Sequence, residues 1–249
     1  MASVLLKFSD IAKNFGAVRA LDSVSLELQE GLITAIVGDN GSGKSTLIKI
    51  LAGNLSPDRG TIQVEDQTYH ALTVHQSIEL GIRTVYQDLS LDNYKNSWEN
   101  VFLGCESMKH GLFLDRNCMK EETRALLEHL EINIPDLDIP VRHLSGGQRQ
   151  GLAIARALRK PGKILLLDEP TSAMGIRESH NTIALLRRLQ AEGLTQLLVS
   201  HNLYQVFDVA DRVVIMRAGH CVADVMTAQS SVEDLHAMIL TQEQKEAAQ

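Results

Sequence analysis

Short apolar runs recur along the chain, separated by stretches with helical periodicity. Val24, Leu26 and Leu28 alternate with polar residues, the two-residue period of a half-buried strand. Ile33–Val37 is continuously apolar and ends at Gly38, which predicts a buried strand, and residues 46–52 then read as a helix. Ile62 and Val64 mark another strand, and the runs 164–167, 196–199 and 212–216 mark three more. This alternation predicts an α/β domain. From about 90 to 160 the pattern turns mostly helical. Asp115 is placed to cap a helix running through 121–129, with Leu126, Leu127 and Leu130 on one side. Residues 133–140 hold two prolines and read as a linker, and the polar stretch 241–249 reads as a frayed tail. There are no internal repeats and no low-complexity tracts.

Composition narrows the classes. With 44% hydrophobic and 22% charged residues in 249, the chain reads as an ordinary globular protein of one large or two small domains. No stretch reaches the roughly 18 to 20 continuous apolar residues of a membrane-spanning helix. Residues 1–10 lack a basic start followed by an apolar core, so no secretory signal is expected. A membrane role therefore has to come through a partner. Cys105, Cys118 and Cys221 are odd in number, far apart and form no CxxC pair, which argues against zinc or disulfide scaffolds and fits a reducing cytosol. A net charge of -7 argues against a protein that coats nucleic acid.

Two segments carry phosphate chemistry. Gly38-Asp39-Asn40-Gly41-Ser42-Gly43-Lys44-Ser45 fits G-x-x-x-x-G-K-[ST], and it follows an apolar strand and opens a helix. Glycines let backbone N–H groups converge on phosphate oxygens without a Cβ in the way, and the helix start adds positive dipole. Lys44 is expected to reach the β- and γ-phosphates and Ser45 to ligand Mg²⁺. The bland alternative is a glycine-rich turn. The second segment is the run 164–167 ending in Asp168 and Glu169, at the strand edge where an open α/β sheet places its ligand. Asp168 is expected to hold Mg²⁺ and Glu169 to polarise the attacking water as general base. The alternative there is a solvated loop after a strand.

A third segment, Leu144-Ser145-Gly146-Gly147-Gln148, could be no more than a helix N-cap, with Ser145 capping 148–159. Together with the two segments above, it makes the chain resemble the ABC ATPase family, whose signature is LSGGQ. The resemblance runs from about Val4 to Asp224. It implies an α/β P-loop NTPase (RecA-like) core with an inserted helical subdomain and an N-terminal antiparallel β region. In these terms 1–249 is one ABC ATPase domain, with 1–88 and 161–249 forming the nucleotide-binding core and 89–160 the helical subdomain. Gln87 stands at the Q-loop position, with a share in the metal site, and His201 at the switch histidine. Phe15 stands where the family stacks an aromatic on adenine. Gly38, Asn40, Gly41, Ser42, Gly43, Lys44, Ser45 and Thr46 would bind ATP in one copy. Ser145, Gly146, Gly147 and Gln148 would do so from a second copy across a head-to-tail homodimer. ATP, but not ADP, would then hold the dimer shut, because only ATP offers charge to both faces. His201 would stabilise charge developing on the γ-phosphate.

One position departs from the family. Ser172-Ala173-Met174-Gly175 has glycine where most members carry an interface-crossing aspartate, which puts coupling between the two sites in question. The same run, with 84–91, 99–104, 144–157 and 200–203, resembles the ATPases of bacterial ribose, xylose or fructose importers. The resemblance implies ATP and Mg²⁺ as cofactors, and permease subunits, a second copy and, indirectly, an extracytoplasmic solute-binding protein as partners, with no nucleic acid. The chain would lie peripherally on the cytoplasmic face of the inner membrane. Tyr94, Trp98 and Phe102, spaced i, i+4, i+8, would share a helix face, either as subdomain core or as a groove for a permease helix. An exporter or non-sugar importer ATPase would use identical chemistry. A soluble DNA- or ribosome-acting relative is disfavoured, because the roughly 125 residues between Lys44 and Glu169 show no sustained heptads. A P-loop kinase would leave 144–148 without a role.

Overall fold

The computed structural model describes residues 3–109, 112–172 and 174–238. The chain opens with β1 (Val4–Phe15), β2 (Val18–Gln29), β3 (Ile33–Val37), α1 (Lys44–Leu51), β4 (Arg59–Val64), β5 (Gln67–Tyr69), α2 (Val74–Glu79) and β6 (Ile82–Val85). It continues with α3 (Ser97–Val101), β7 (Met108–Lys109), β8 (Phe113–Leu114), α4 (Arg116–His129) and α5 (Gly146–Leu158). The last third holds β9 (Ile164–Asp168), α6 (Ile176–Ala191), β10 (Thr195–Val199), α7 (Leu203–Val209), β11 (Arg212–Arg217) and β12 (His220–Met226). These fall into two compact units. One comprises 1–84, 162–169 and 186–249, the other 85–161 and 170–185.

The first unit contains two sheets. An antiparallel sheet runs β2-β1-β4-β5, and a six-stranded sheet runs β12-β11-β3-β10-β9-β6. In the latter, β3 pairs in parallel with β10 and β11, and β9 in parallel with β10. Every residue of β3, β9 and β10 is buried, and these strands are apolar apart from Thr34, Asp168, Thr195 and Gln196; Thr195 Oγ1 accepts the Gly31 N–H at 2.9 Å and Gln196 Nε2 donates to Leu186 O at 2.8 Å. On β2, Val24, Leu26 and Leu28 are buried while the residues between them are not, as the alternation demands.

The second unit is helical with a small hairpin. α4 starts at Asp115, whose carboxylate accepts the Cys118 N–H at 3.1 Å. Leu127 and Leu130 are buried; Leu126 is only half-buried. Residues 133–140 are not a linker. Asp138 accepts the Trp98 indole N–H at 3.0 Å and the Lys120 ammonium at 2.7 Å, Ser97 N–H donates to Leu137 O, and Pro140 bridges Asn96. The backbone there runs back along the start of α3. The aromatic stripe is also corrected. Trp98 and Phe102 are buried, but α3 begins only at Ser97, so Tyr94 lies in the preceding turn, 79% exposed, with the Arg142 guanidinium 5.4 Å from its ring. That turn is pinned by buried Asn100, whose amide accepts from Asp92 N at 2.8 Å and donates to Asp92 O and Asn96 O at 3.0 Å. The hairpin β7–β8 carries exposed Met108, Leu112, Phe113 and Leu114.

The three thiols differ. Cys105 is exposed, its Sγ donating to Phe102 O at 3.3 Å. Cys118 faces the Glu122 carboxylate at 3.2 Å, which raises its thiol pKa. Burial pushes the Cys221 thiol up to about 11. Among the described residues no helix is long and apolar enough to cross a membrane. The stretch 239–249, which includes the expected polar tail, lies outside the described residues.

Candidate functional site

The turn from β3 into α1 is built on glycines that nothing else can replace. Gly38 has φ +148, and a Cβ there would stand 2.0 Å from Met216 O on β11. Gly43 has φ +103, and its Cβ would meet Ala20 O at 2.5 Å. Gly43 is also the N-cap of α1 and has no side chain to accept from the first turn of that helix. A helix start without a capping side chain leaves its N–H groups to water or to a ligand. Lys44 is buried and its ammonium donates to Gly38 O and Asp39 O, both at 2.7 Å, and to Ser42 Oγ at 3.3 Å. Burial lowers its pKa, while Glu169, Asp39 and Asp168 act to raise it. The loop thus holds a desolvated cation at a helix start, an arrangement that fits a phosphate chain. Thr46 follows on α1, half-buried, and Asn40 and Gly41 are exposed at the tip of the loop.

The acidic pair meets this loop from below. Ser45 Oγ donates to Asp168 Oδ1 at 3.3 Å. Asp168 is buried, and desolvation raises its carboxyl pKa despite the Ser45 hydrogen bond. Glu169 adopts φ +53, left-handed for a residue with a Cβ, and its N–H donates to Val199 O at 2.9 Å. Its carboxylate lies 2.8 Å from His201 Nδ1. The parallel register explains the pairing. Asp168 stands opposite Val199, so the residues leaving β9 and β10 emerge side by side. Among the described residues no three His, Cys, Asp or Glu side chains converge as a metal cage. A hydroxyl plus one carboxylate is instead a donor set that suits a cation shared with phosphate oxygens.

In the second unit, Ser145 is the N-cap of α5 and makes a capping box with Gln148. Gln148 Oε1 accepts the Ser145 N–H at 2.9 Å and its Nε2 donates to Asn133 O at 2.9 Å, so this side chain holds the helix start in place. Gly146 and Gly147 follow within the first turn of α5. Gln87 is exposed in the bend after β6. Phe15, at the end of β1, is 48% exposed with Lys13 Nζ 5.8 Å from its ring centre, a flat apolar face open to a stacked base.

Two residues in this region were not singled out in the sequence. Arg156 on α5 donates to Leu89 O at 2.6 Å and Ser90 O at 2.8 Å, tying the stretch after Gln87 to the helix that begins at Ser145. Nothing in an amphipathic helix pattern marks which arginine folds inward. Glu178, the third residue of α6, accepts the Gly175 N–H at 3.3 Å. An acid at the third helical position is a readable capping signal, but its other contacts are tertiary.

Residues 21–172 match the protein-family model described as ABC transporter. The chain belongs to the ABC transporter family, as one of its ATP-hydrolysing subunits. Within that family it is 41% identical over 233 residues to the xylose/arabinose import ATP-binding protein of Sulfolobus acidocaldarius, covering 94% of this chain and 92% of that one. It is 37% identical over 236 residues to a ribose import ATP-binding protein of Burkholderia cenocepacia, covering 95% of this chain but 46% of the relative's length. The fold is similar to that of a nucleotide-free ATP-binding cassette of an ABC transporter, with a TM-score of 0.82, 29% identity and 96% of each chain covered. It is also similar to a dimeric cassette in a post-hydrolysis state bound to ADP and Pi, with a TM-score of 0.77, 25% identity, 89% of this chain and 98% of that chain covered.

Proposed function

We propose that this chain powers the uptake of a monosaccharide, binding and hydrolysing ATP as a homodimer beneath permease subunits. The observation that carries the reading is the convergence, in one unit, of the buried Lys44, the Ser45–Asp168 pair and the Glu169–His201 pair at the ends of adjacent parallel strands. The sugar assignment is supported by relatives whose names are xylose/arabinose and ribose import ATP-binding proteins.

In this reading the loop from Gly38 to Thr46 cradles the triphosphate and Lys44 exchanges its loop carbonyls for the β- and γ-phosphate oxygens. Phe15 stacks on the adenine. Ser45 and Asp168 would hold Mg²⁺, which would supply positive charge against the phosphates. Glu169 accepts a proton from the attacking water. His201 orients that carboxylate through its 2.8 Å contact and supports charge on the γ-phosphate. Ser145, Gly146 and Gly147 of a second copy close over the nucleotide, and the dimeric relative with ADP and Pi supports that assembly. Phosphate would leave from a site split between copies. The chain would act at the cytoplasmic face of the membrane, and the sugar would reach the permease from an extracytoplasmic binding protein.

The test is Glu169→Gln in the native host, scored as uptake of labelled pentoses, hexoses and polyols. Loss of one monosaccharide's uptake with the others intact supports import and names the sugar. Unchanged uptake across the panel rejects the sugar assignment.

A further inference from the structure

Glu178 makes more contacts than a helix cap requires. Its Oε2 accepts the Gly175 N–H at 3.3 Å, the ordinary reach of an acid back to its own helix start. The same carboxylate lies against the signature turn, where a Cβ built on Gly146 would stand 3.4 Å from its Oε2, and the Ser145 hydroxyl and the Gly147 N–H draw its pKa down. Its stem lies against the signature turn: a Cβ built on Gly147 would stand 3.1 Å from Glu178 Cβ and 3.2 Å from Cγ. Glycine at 147 is what admits the acid. Ser145 Oγ accepts the Gln148 N–H at 3.3 Å, which leaves its hydroxyl hydrogen available to an acceptor beside the turn. These donors hold the carboxyl below its usual range.

The Ser145 hydroxyl and the Gly147 N–H are donors that the ATP-sandwich reading assigns to the γ-phosphate bound by the other copy. They cannot serve a carboxylate and a phosphate together, and two anions at contact distance repel. We infer that Glu178 is a built-in stand-in for the γ-phosphate, occupying the signature donors of the nucleotide-free chain and giving them up when ATP closes the dimer. This rests on the sandwich reading of residues 145–147. The exchange swaps one anion for another and breaks no covalent bond. It links the signature turn to the Gly175 turn through one side chain, a link that Gly175 has no side chain to make. Glu178 is thus a positioning residue whose release registers that the opposite site holds ATP.

The experiment places Glu178→Gln and Glu178→Ala in a Glu169→Gln background and titrates the full-length chain with ATP while following dimerisation by sedimentation. Thermal unfolding without nucleotide is measured in parallel. Glutamine keeps an acceptor for the Gly175 N–H and loses the charge. The ATP concentration for half-maximal dimerisation should fall about five- to tenfold with glutamine, and at least as far with alanine. The unfolding midpoint of the glutamine variant should stay where the parent's is. In the chain with Glu169 intact, Glu178→Gln should lower the KM for ATP. A residue that only caps α6 would lower the unfolding midpoint as alanine and leave dimerisation unchanged in both variants, and that result overturns the proposal. If the Glu169→Gln parent itself never dimerises with ATP, the sandwich reading fails first and the proposal falls with it.

Discussion

Burial sets Asp168 against its own charge. Its carboxyl is shifted upward in the folded chain, so folding favours the protonated form. Such a group contributes stability below its unfolded pKa and loses it as pH rises through the folded value. Ionising Asp168 therefore costs the folded chain stability. Asp168→Asn should raise the unfolding free energy at pH 7, with the gain shrinking as pH drops toward the normal aspartate range. ATPase activity should fall to background in the same variant. His201→Ala should lower kcat by roughly a hundredfold or more while nucleotide binding persists, since it removes the group that holds Glu169. Gly38→Ala tests the loop itself: the added Cβ meets the backbone oxygen of Met216 at 2.0 Å, which no rotamer relieves. A loss of at least about 2 kcal/mol and of ATP binding is expected by denaturant melting and nucleotide titration. These residues were legible because each stands in a fixed spacing with a reason. Glu178 was not, because its partners Ser145 and Gly147 lie more than thirty positions away and no local period connects them.

At the scale of elements, hydrophobic period located β3, β9, β10 and β11 to within a residue or two, because strands buried on both faces leave uninterrupted apolar runs. The capped start of α4 was equally readable from Asp115. Residues 133–140 misled because two prolines suggest a spacer, whereas side chains from α3 and α4 hold the segment in place. The hairpin β7–β8 escaped notice because strands of two residues carry no period at all. Tyr94 misled by spacing alone: the stripe needs a helix that starts three residues too late. α5 ties several of these elements together. Ser145→Ala removes its side-chain cap and should cost about 1 kcal/mol in unfolding free energy. Arg156→Met removes two charge-assisted bonds to the 89–90 carbonyls and should cost about 2 to 3 kcal/mol. It should also increase hydrogen exchange at 87–90, leaving exchange in β3 and β10 unchanged.

Across the whole molecule, the chain divides into a unit with the phosphate loop and acidic pair and a unit with the signature turn. Residues 170–185 cluster with the second unit although they follow β9 directly. Strand and helix periods say what an element is but not which neighbours it keeps, so such a regrouping has no local signature. Ligand linkage gives a whole-chain test. ATP with Mg²⁺ at about a hundred times its Kd should stabilise Glu169→Gln by roughly 2.7 kcal/mol, and Lys44→Ala should abolish the shift. The acidic balance of -7 predicts that added DNA produces no such stabilisation.

The unequal cysteines have a practical consequence. Thiolates, not thiols, react with maleimides, and accessibility gates the rest. Cys221 is half-buried with its thiol pushed up to about 11, and Glu122 raises the Cys118 thiol. Cys105 is the exposed one. At neutral pH a fluorophore should therefore attach to the native protein at a single place, three residues past the buried Phe102, with no cysteine removed beforehand. The sequence arrives already equipped with an optical reporter in the unit that bears the signature turn, and its emission during ATP addition would record that unit's response in real time.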